Sequence, residues 1–153
     1  MECINFEVRG FIPAPQGSKR HVGNGVMIES CKTVKPWRQA VTHAAVEAGS
    51  YPLQGTVQMD AEFIFPRPKS HYRTGKNSHL LKDDAPYLHS VKPDLSKLIR
   101  STEDALSGVA FADDARIAHC FAIKRYAEDG ELPGAVIVIS RAINSPPLVK
   151  QLA

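Results

Sequence analysis

Apolar and polar residues alternate through Asn5-Phe6-Glu7-Val8-Arg9, and a period of two predicts a half-buried strand over residues 5–12, closed by Pro13 and Pro15. The same alternation over residues 56–65 predicts a second strand, ended by Pro66 and Pro68. Between them Gly23-Asn24-Gly25 is a strong reversal signal that joins two short extended arms into a ribbon. The period then changes. Trp37, Ala40, Val41, Ala44, Ala45 and Ala48 recur at helical spacing, with Pro36 suited to a first turn and Gly49 to a stop. A second helix is predicted over residues 94–106. Leu95, Leu98, Ile99, Thr102, Ala105 and Leu106 share one face of it, and Ser96, Lys97, Arg100, Glu103 and Asp104 share the other. Residues 117–125 and 135–140 read as two further strands around the glycine-bounded turn at 130–134, which predicts a hairpin. The order strand, ribbon, helix, strand, long loop, helix, strand, strand implies an α/β (α+β) fold: a small mixed β-sheet with two main helices packed on it.

Composition narrows the class. With 153 residues, 43% of them hydrophobic and 23% charged, one domain over residues 1–153 can bury a core without staples. The net charge of +3 permits a nucleic-acid partner without requiring one. Cys3, Cys31 and Cys120 stand far apart in no zinc or redox spacing, so reduced, structural thiols are expected. The start of the chain alternates where a secretory signal needs an unbroken apolar run, and no stretch approaches the ~20 apolar residues of a membrane helix. A cytoplasmic protein is the expectation. Residues 143–153 read as a short extended tail.

Two stretches carry candidate chemistry. The long loop at 66–90 begins with a run in which Arg67, Lys69, Arg73, Lys76 and Lys82 are accompanied by no acidic residue up to position 82. A connection of that length is usually functional or mobile, so it is either a solvated linker or a phosphate-contacting arm. The second stretch, "VKPDLSKLIRSTEDALSGVAFADDARI" at 91–117, gathers Asp94, Asp104, Asp113 and Asp114 about one helix. Asp94 can cap that helix, and Asp113 and Asp114 can be ordinary turn residues. Alternatively, a loop returning toward the helix start would bring Asp114 within reach of Asp94, and two carboxylates completed by water and phosphate oxygens suit Mg²⁺. Lys97 and Arg100 then stand by to contact a phosphate, or else Arg100 merely pairs with Asp104 on the surface.

These residues resemble the signature region of the RusA family of Holliday-junction resolvases, whose pattern runs approximately K-P-D-x-D-N-L-x-K, then D-A-L, then a D-D pair before a strand. The match is close over residues 92–117, and "FEVRGFIPAPQGSKR" near the start is similar to the family's first strand and its proline-rich exit. The resemblance implies a homodimeric endodeoxyribonuclease, of phage or prophage type, that acts on four-way junctions or branched DNA in recombination and repair. Its cofactor would be Mg²⁺, with Mn²⁺ as a substitute. Asp94 corresponds to the first metal carboxylate, Asp114 to the later one and Asp113 to its neighbour. Arg100 stands where the family usually has a catalytic lysine, and Lys97 replaces an asparagine. Ser96 occupies the place of the second metal aspartate, so Asp104, Asp113 or water would have to compensate. Lys19, Arg20, Lys32 and Lys35 around the ribbon, Arg67, Lys69, Arg73 and Lys76 in the loop, and Lys92 are the candidate DNA contacts. The rival expectation is a branched-DNA-binding protein that Ser96 has left weak or inactive as a nuclease.

Overall fold

The structure, a computed structural model, describes residues 2–29 and 31–144, so the expected tail lies almost wholly outside the described residues. The main sheet is built from β1 (Cys3–Arg9), β4 (Val57–Phe65), β5 (Ile117–Tyr126) and β6 (Gly134–Arg141), in the order β1-β6-β4-β5. A separate ribbon pairs β2 (Lys19–His21) with β3 (Met27–Glu29) across the Gly23-Asn24-Gly25 turn, as the reversal signal predicts. Two helices, α1 (Val34–Glu47) and α2 (Leu95–Leu106), complete the α+β fold.

The sheet is mixed because β6 runs antiparallel to both β1 and β4 while β5 runs parallel to β4. The predicted hairpin between the last two strands is therefore corrected, since β4 lies between them. After β5 the chain steps across the end of β4, where the amide of Ala127 donates to Phe65 O at 2.8 Å. It then reaches β1, where Gly10 donates to Pro133 O at 2.8 Å. β4 is the strand best suited to a central place: Val57, Met59, Ala61, Phe63, Ile64 and Phe65 are all buried, whereas β5 exposes residues 118–121 at the sheet edge. At Gly134 a β-carbon would stand 1.7 Å from the Val8 carbonyl oxygen, so only glycine lets β6 approach β1 there.

Both helices cover one face of the sheet. Trp37, Val41 and Ala45 of α1 join Leu98, Ala105 and Leu106 of α2 over Phe6, Met59, Phe63, Ile137 and Ile139. The indole of Trp37 donates to the Thr102 hydroxyl at 3.3 Å, and the Thr42 hydroxyl donates to Ala105 O at 2.9 Å, which fixes one helix against the other. Ser101, buried in α2, donates to Ala14 O at 2.6 Å, and the amide of Gln16 donates to Lys97 O at 3.0 Å. The proline-rich exit from β1 is thereby tied along α2, and the ribbon that follows is held beside it.

The long loop carries defined turns, although most of its residues are exposed. Short 3-10 turns at Lys69–His71 and Gly75–Asn77 are joined by a Tyr72–Leu81 bridge, and the amides of Arg73 and Lys82 donate to Leu80 O and His71 O, each at 2.9 Å. Its base is aromatic: His89 stacks on Phe65 with ring centres 4.1 Å apart, and His71 meets the Tyr126 ring edge-on at 4.7 Å.

Candidate active site on the second helix

Asp94 occupies the N-cap position of α2 with extended backbone, and its carbonyl accepts from the amides of Lys97 and Leu98 at 3.1 and 3.2 Å. Its side chain makes no cap hydrogen bond, so the capping role open to it is not taken up. The carboxylate is exposed instead, 3.6 Å from Lys97 Nζ. The approach to this position is braced by Lys124, whose ammonium donates to Val91 O and Pro93 O, each at 2.7 Å. Ser96, one residue past the start of the helix, is exposed.

Lys97 and Arg100 line one cleft of about 420 Å³ with Gln16, Gly17, Ser18 and Lys19. Three of the cations singled out in the sequence are thus brought together across two elements. The cause is the pair of hydrogen bonds from Ser101 and Gln16 that tie residues 14–16 to the helix. Among the described residues Arg100 makes no ion pair. The expected surface pair with Asp104 is replaced by Arg38, whose guanidinium donates to Asp104 at 2.8 Å.

The acidic residues divide between the two ends of the helix. Asp113 accepts from the amide of Ala115 at 2.9 Å and caps the 3-10 turn Asp114–Arg116. Asp114 lies near Glu103, whose carboxyl is pushed up from its ordinary value by burial, then by the charges of Asp114 and Asp104, against the opposing pull of Arg100. Asp94 and Glu103 are nine positions apart, about 13 Å along a helix rising 1.5 Å per residue. The loop that carries Asp114 is anchored after the helix: Ala110 and Phe111 are fully buried, Leu53 donates to Ala110 O at 2.9 Å, and Gly108 donates to Phe111 O at 2.7 Å.

Glu103 is the carboxylate that the sequence reading left without a role. Its signal was available: Ser96, Arg100 and Glu103 follow one another at i, i+4 and i+7 and share a helix ridge.

Among the described residues no three His, Cys, Asp or Glu side chains are gathered closely enough to hold a metal ion. Mg²⁺ does not require three, since it is commonly held by one or two carboxylates with substrate phosphates and water. Asp114 and Glu103 offer only hard oxygen donors, and the part of the rise in the Glu103 carboxyl that comes, after burial, from the charges of Asp114 and Asp104 is what a bound cation would relieve. The residues present therefore fit such an ion in donor chemistry.

The basic residues of the loop have separate fates. Arg67 is structural: it donates to Pro86 O at 2.7 Å and Ala127 O at 3.2 Å, and its guanidinium lies 5.3 Å from the centre of the Tyr126 ring. Arg73 is held by Asp83 at 2.8 Å. Lys69, Lys76 and Lys82 are exposed, as are Arg20 on the ribbon, Lys32 and Lys35 at the start of α1, and Lys92. Cys3 and Cys120 are free thiols, exposed where structural packing was expected.

A family model described as endodeoxyribonuclease RusA matches residues 11–140, a span that includes α1, α2, the ribbon, the loop and most of the sheet. No curated protein matches the chain.

Proposed function

Because the chain belongs to the RusA family of endodeoxyribonucleases, a family that resolves Holliday junctions, we propose that it is a Mg²⁺-dependent nuclease that cuts four-way and branched DNA at paired positions in recombination and repair. The observation that carries this reading is the cleft shared by Lys19, Lys97 and Arg100 on the helix that also bears Asp94 and Glu103. A scissile phosphate seated there meets three cations, and Arg100 stands between the acidic ends of the helix, suited to offset charge that builds on the phosphoryl oxygens. Asp114 with Glu103 supplies carboxylates at one end, with Asp113 and Asp104 as neighbours, and Asp94 supplies one at the other. When bound, Mg²⁺ supplies Lewis-acid polarisation and a coordinated water of lowered pKa. Mn²⁺, with the same preference for oxygen donors, is expected to substitute.

A four-way junction has near two-fold symmetry, and one chain carries one such helix, so the active species in this reading is a homodimer. The sheet face away from the helices supports it. Phe121 is 67% exposed there, beside Ile123, Val136 and Val138.

Asp114→Asn tests the catalytic assignment. Cleavage of a labelled junction is expected to fall by at least 10²-fold, roughly the loss of one charge-stabilising group at a nuclease centre, while junction affinity holds or rises because a negative charge has been removed. A folded variant that loses binding along with cleavage contradicts the assignment. A second reading, a junction-binding protein with little nuclease activity, draws on one specific observation: the exposed Ser96 offers a weak, neutral ligand where the family pattern has an aspartate.

A further inference from the structure

Beside the cationic cleft lies a second one, of about 580 Å³, with a different lining. Ile12, Pro13, Pro15, Phe65 and Pro93 supply its apolar lining, and Cys31, Thr33, Lys92 and the Asp94 carboxylate line it with them, so the cleft adjoins the acidic start of α2. The two clefts share Lys97, which has Lys19 and Arg100 on one side and, on the other, apolar surface together with the Asp94 carboxylate 3.6 Å from its ammonium. The volume lies within the roughly 300–1,000 Å³ of small-molecule sites, and predominantly apolar walls with few polar groups are the usual composition of such sites. Phe65 is packed from within the fold. Phe65 is held by the His89 ring stacked at 4.1 Å, and His89 is kept toward its neutral form by burial and by the nearby Lys124 charge. Ile12, by contrast, is 57% exposed, an apolar side chain left in solvent at the mouth of the cleft.

We propose that this cleft receives one unstacked nucleobase of branched DNA, from the nucleotide whose phosphate is held by Lys97 in the adjoining cationic cleft. A nucleotide is one phosphate and one flat apolar ring system a few ångströms apart, and Lys97 joins a site for each. A stacked duplex keeps its bases turned inward, whereas the crossover of a junction offers bases whose unstacking costs least. Proline rings and a phenylalanine floor supply the sequence-tolerant apolar contact that bases accept. The Thr33 hydroxyl, 3.3 Å from Cys31 Sγ, can both donate to and accept from a base edge. This inference rests on the nuclease reading for its substrate and adds a subsite that makes cutting depend on a base at the crossover as well as on branched shape.

The test uses the full chain with four-way junctions that carry a single abasic site on either side of the scissile phosphate. Removal of the base that enters the cleft is expected to slow cleavage about tenfold or more, with junction affinity changed by less than threefold. Thr33→Tyr, a change at an exposed position that makes no cap hydrogen bond, is expected to crowd the cleft and slow cutting of the intact junction toward the abasic rate. Equal rates on intact and abasic junctions overturn the proposal while leaving the nuclease reading standing. Occupancy is read separately, without cleavage, by photo-cross-linking a junction that carries 5-iodouracil at the crossover in the presence of EDTA. A cross-link within residues 12–15 or at Phe65 supports the site, and cross-links confined to the ribbon or the long loop overturn it. If no junction is cut under any divalent ion, the nuclease reading fails and the cross-link alone still decides the cleft.

Discussion

At position 96 a serine stands on the helix ridge that also carries Arg100 and Glu103, two residues from Asp94. A carboxylate there would lie between the separated acidic ends of α2. Ser96→Asp is accordingly expected to raise the cleavage rate at limiting Mg²⁺ by about tenfold, since added ligand charge tightens a hard-cation site. A near-inert parent that gains activity by many orders of magnitude would instead favour the binding-protein reading. Glu103 gives a pH test. Its folded pKa is raised, so the folded state holds that proton more firmly than the unfolded chain, and stability falls as pH rises above the ordinary carboxylate value of 4.5. Glu103→Gln should flatten this decline in thermal melts taken between pH 4 and 7. A variant whose profile parallels the wild type would remove Glu103 from the acidic group. Residue types and their spacing were legible in the sequence at this scale, including Asp94, Lys97, Arg100 and Asp114. The meeting of Asp114 with Glu103 was not, because it depends on where Ala110 and Phe111 are buried.

Among the elements, both helices and the ribbon follow from local signals, since Trp37, Val41 and Ala45 or Leu98, Ala105 and Leu106 define their own faces by period. Strand partners carry no such local mark. β6 alternates equally well whether it pairs with β5 or enters between β1 and β4, and long-range packing decides in favour of the latter. The crossing from β5 to β6 is fastened by Arg125, which is almost wholly buried and donates to Glu131 at 2.6 and 2.8 Å and to Glu62 at 2.7 Å. Hydrogen bonds from this guanidinium hold the Glu131 carboxyl down to about 2. Because that pKa is depressed, the pair's stabilisation is fully present above pH 4.5 and is lost as pH falls toward 2. Glu131→Gln should lower stability at neutral pH by about 2 kcal/mol, the cost of weakened charge-assisted hydrogen bonds to Arg125, which keeps its bond to Glu62. It should also remove this acid-range dependence in chemical denaturation. At the same sheet, Gly134→Ala forces a β-carbon to within 1.7 Å of Val8 O. A loss of more than about 2 kcal/mol is expected, in the range of severe packing defects, and a wild-type melting temperature in that variant would contradict the register of β1 on β6.

For the whole molecule, charge placement matters more than the net charge of +3. Lys19, Lys97 and Arg100 meet in one cleft, while exposed Arg20 of the ribbon and the exposed lysines of the long loop flank it in sequence and Arg67 is half-buried, bonded to Pro86 O and Ala127 O. Junction affinity should therefore fall steeply with salt, and Lys97→Ala should reduce the slope of log K against log salt by about one, the signature of one lost phosphate contact. A flat salt dependence would point to a small phosphorylated substrate. Phe121→Lys on the open sheet face, at a side chain 67% exposed, should convert the proposed dimer to monomers in sedimentation and suppress paired cutting, while the circular dichroism spectrum of the folded chain is unchanged.

The most direct measurement is cleavage of a labelled synthetic four-way junction beside a linear duplex of the same arms, with Mg²⁺ and with EDTA. Paired nicks confined to the junction and dependent on the ion are the expected result. Tight junction binding without nicks under any divalent ion, or equal cutting of the linear duplex, would contradict a structure-selective nuclease built on this helix.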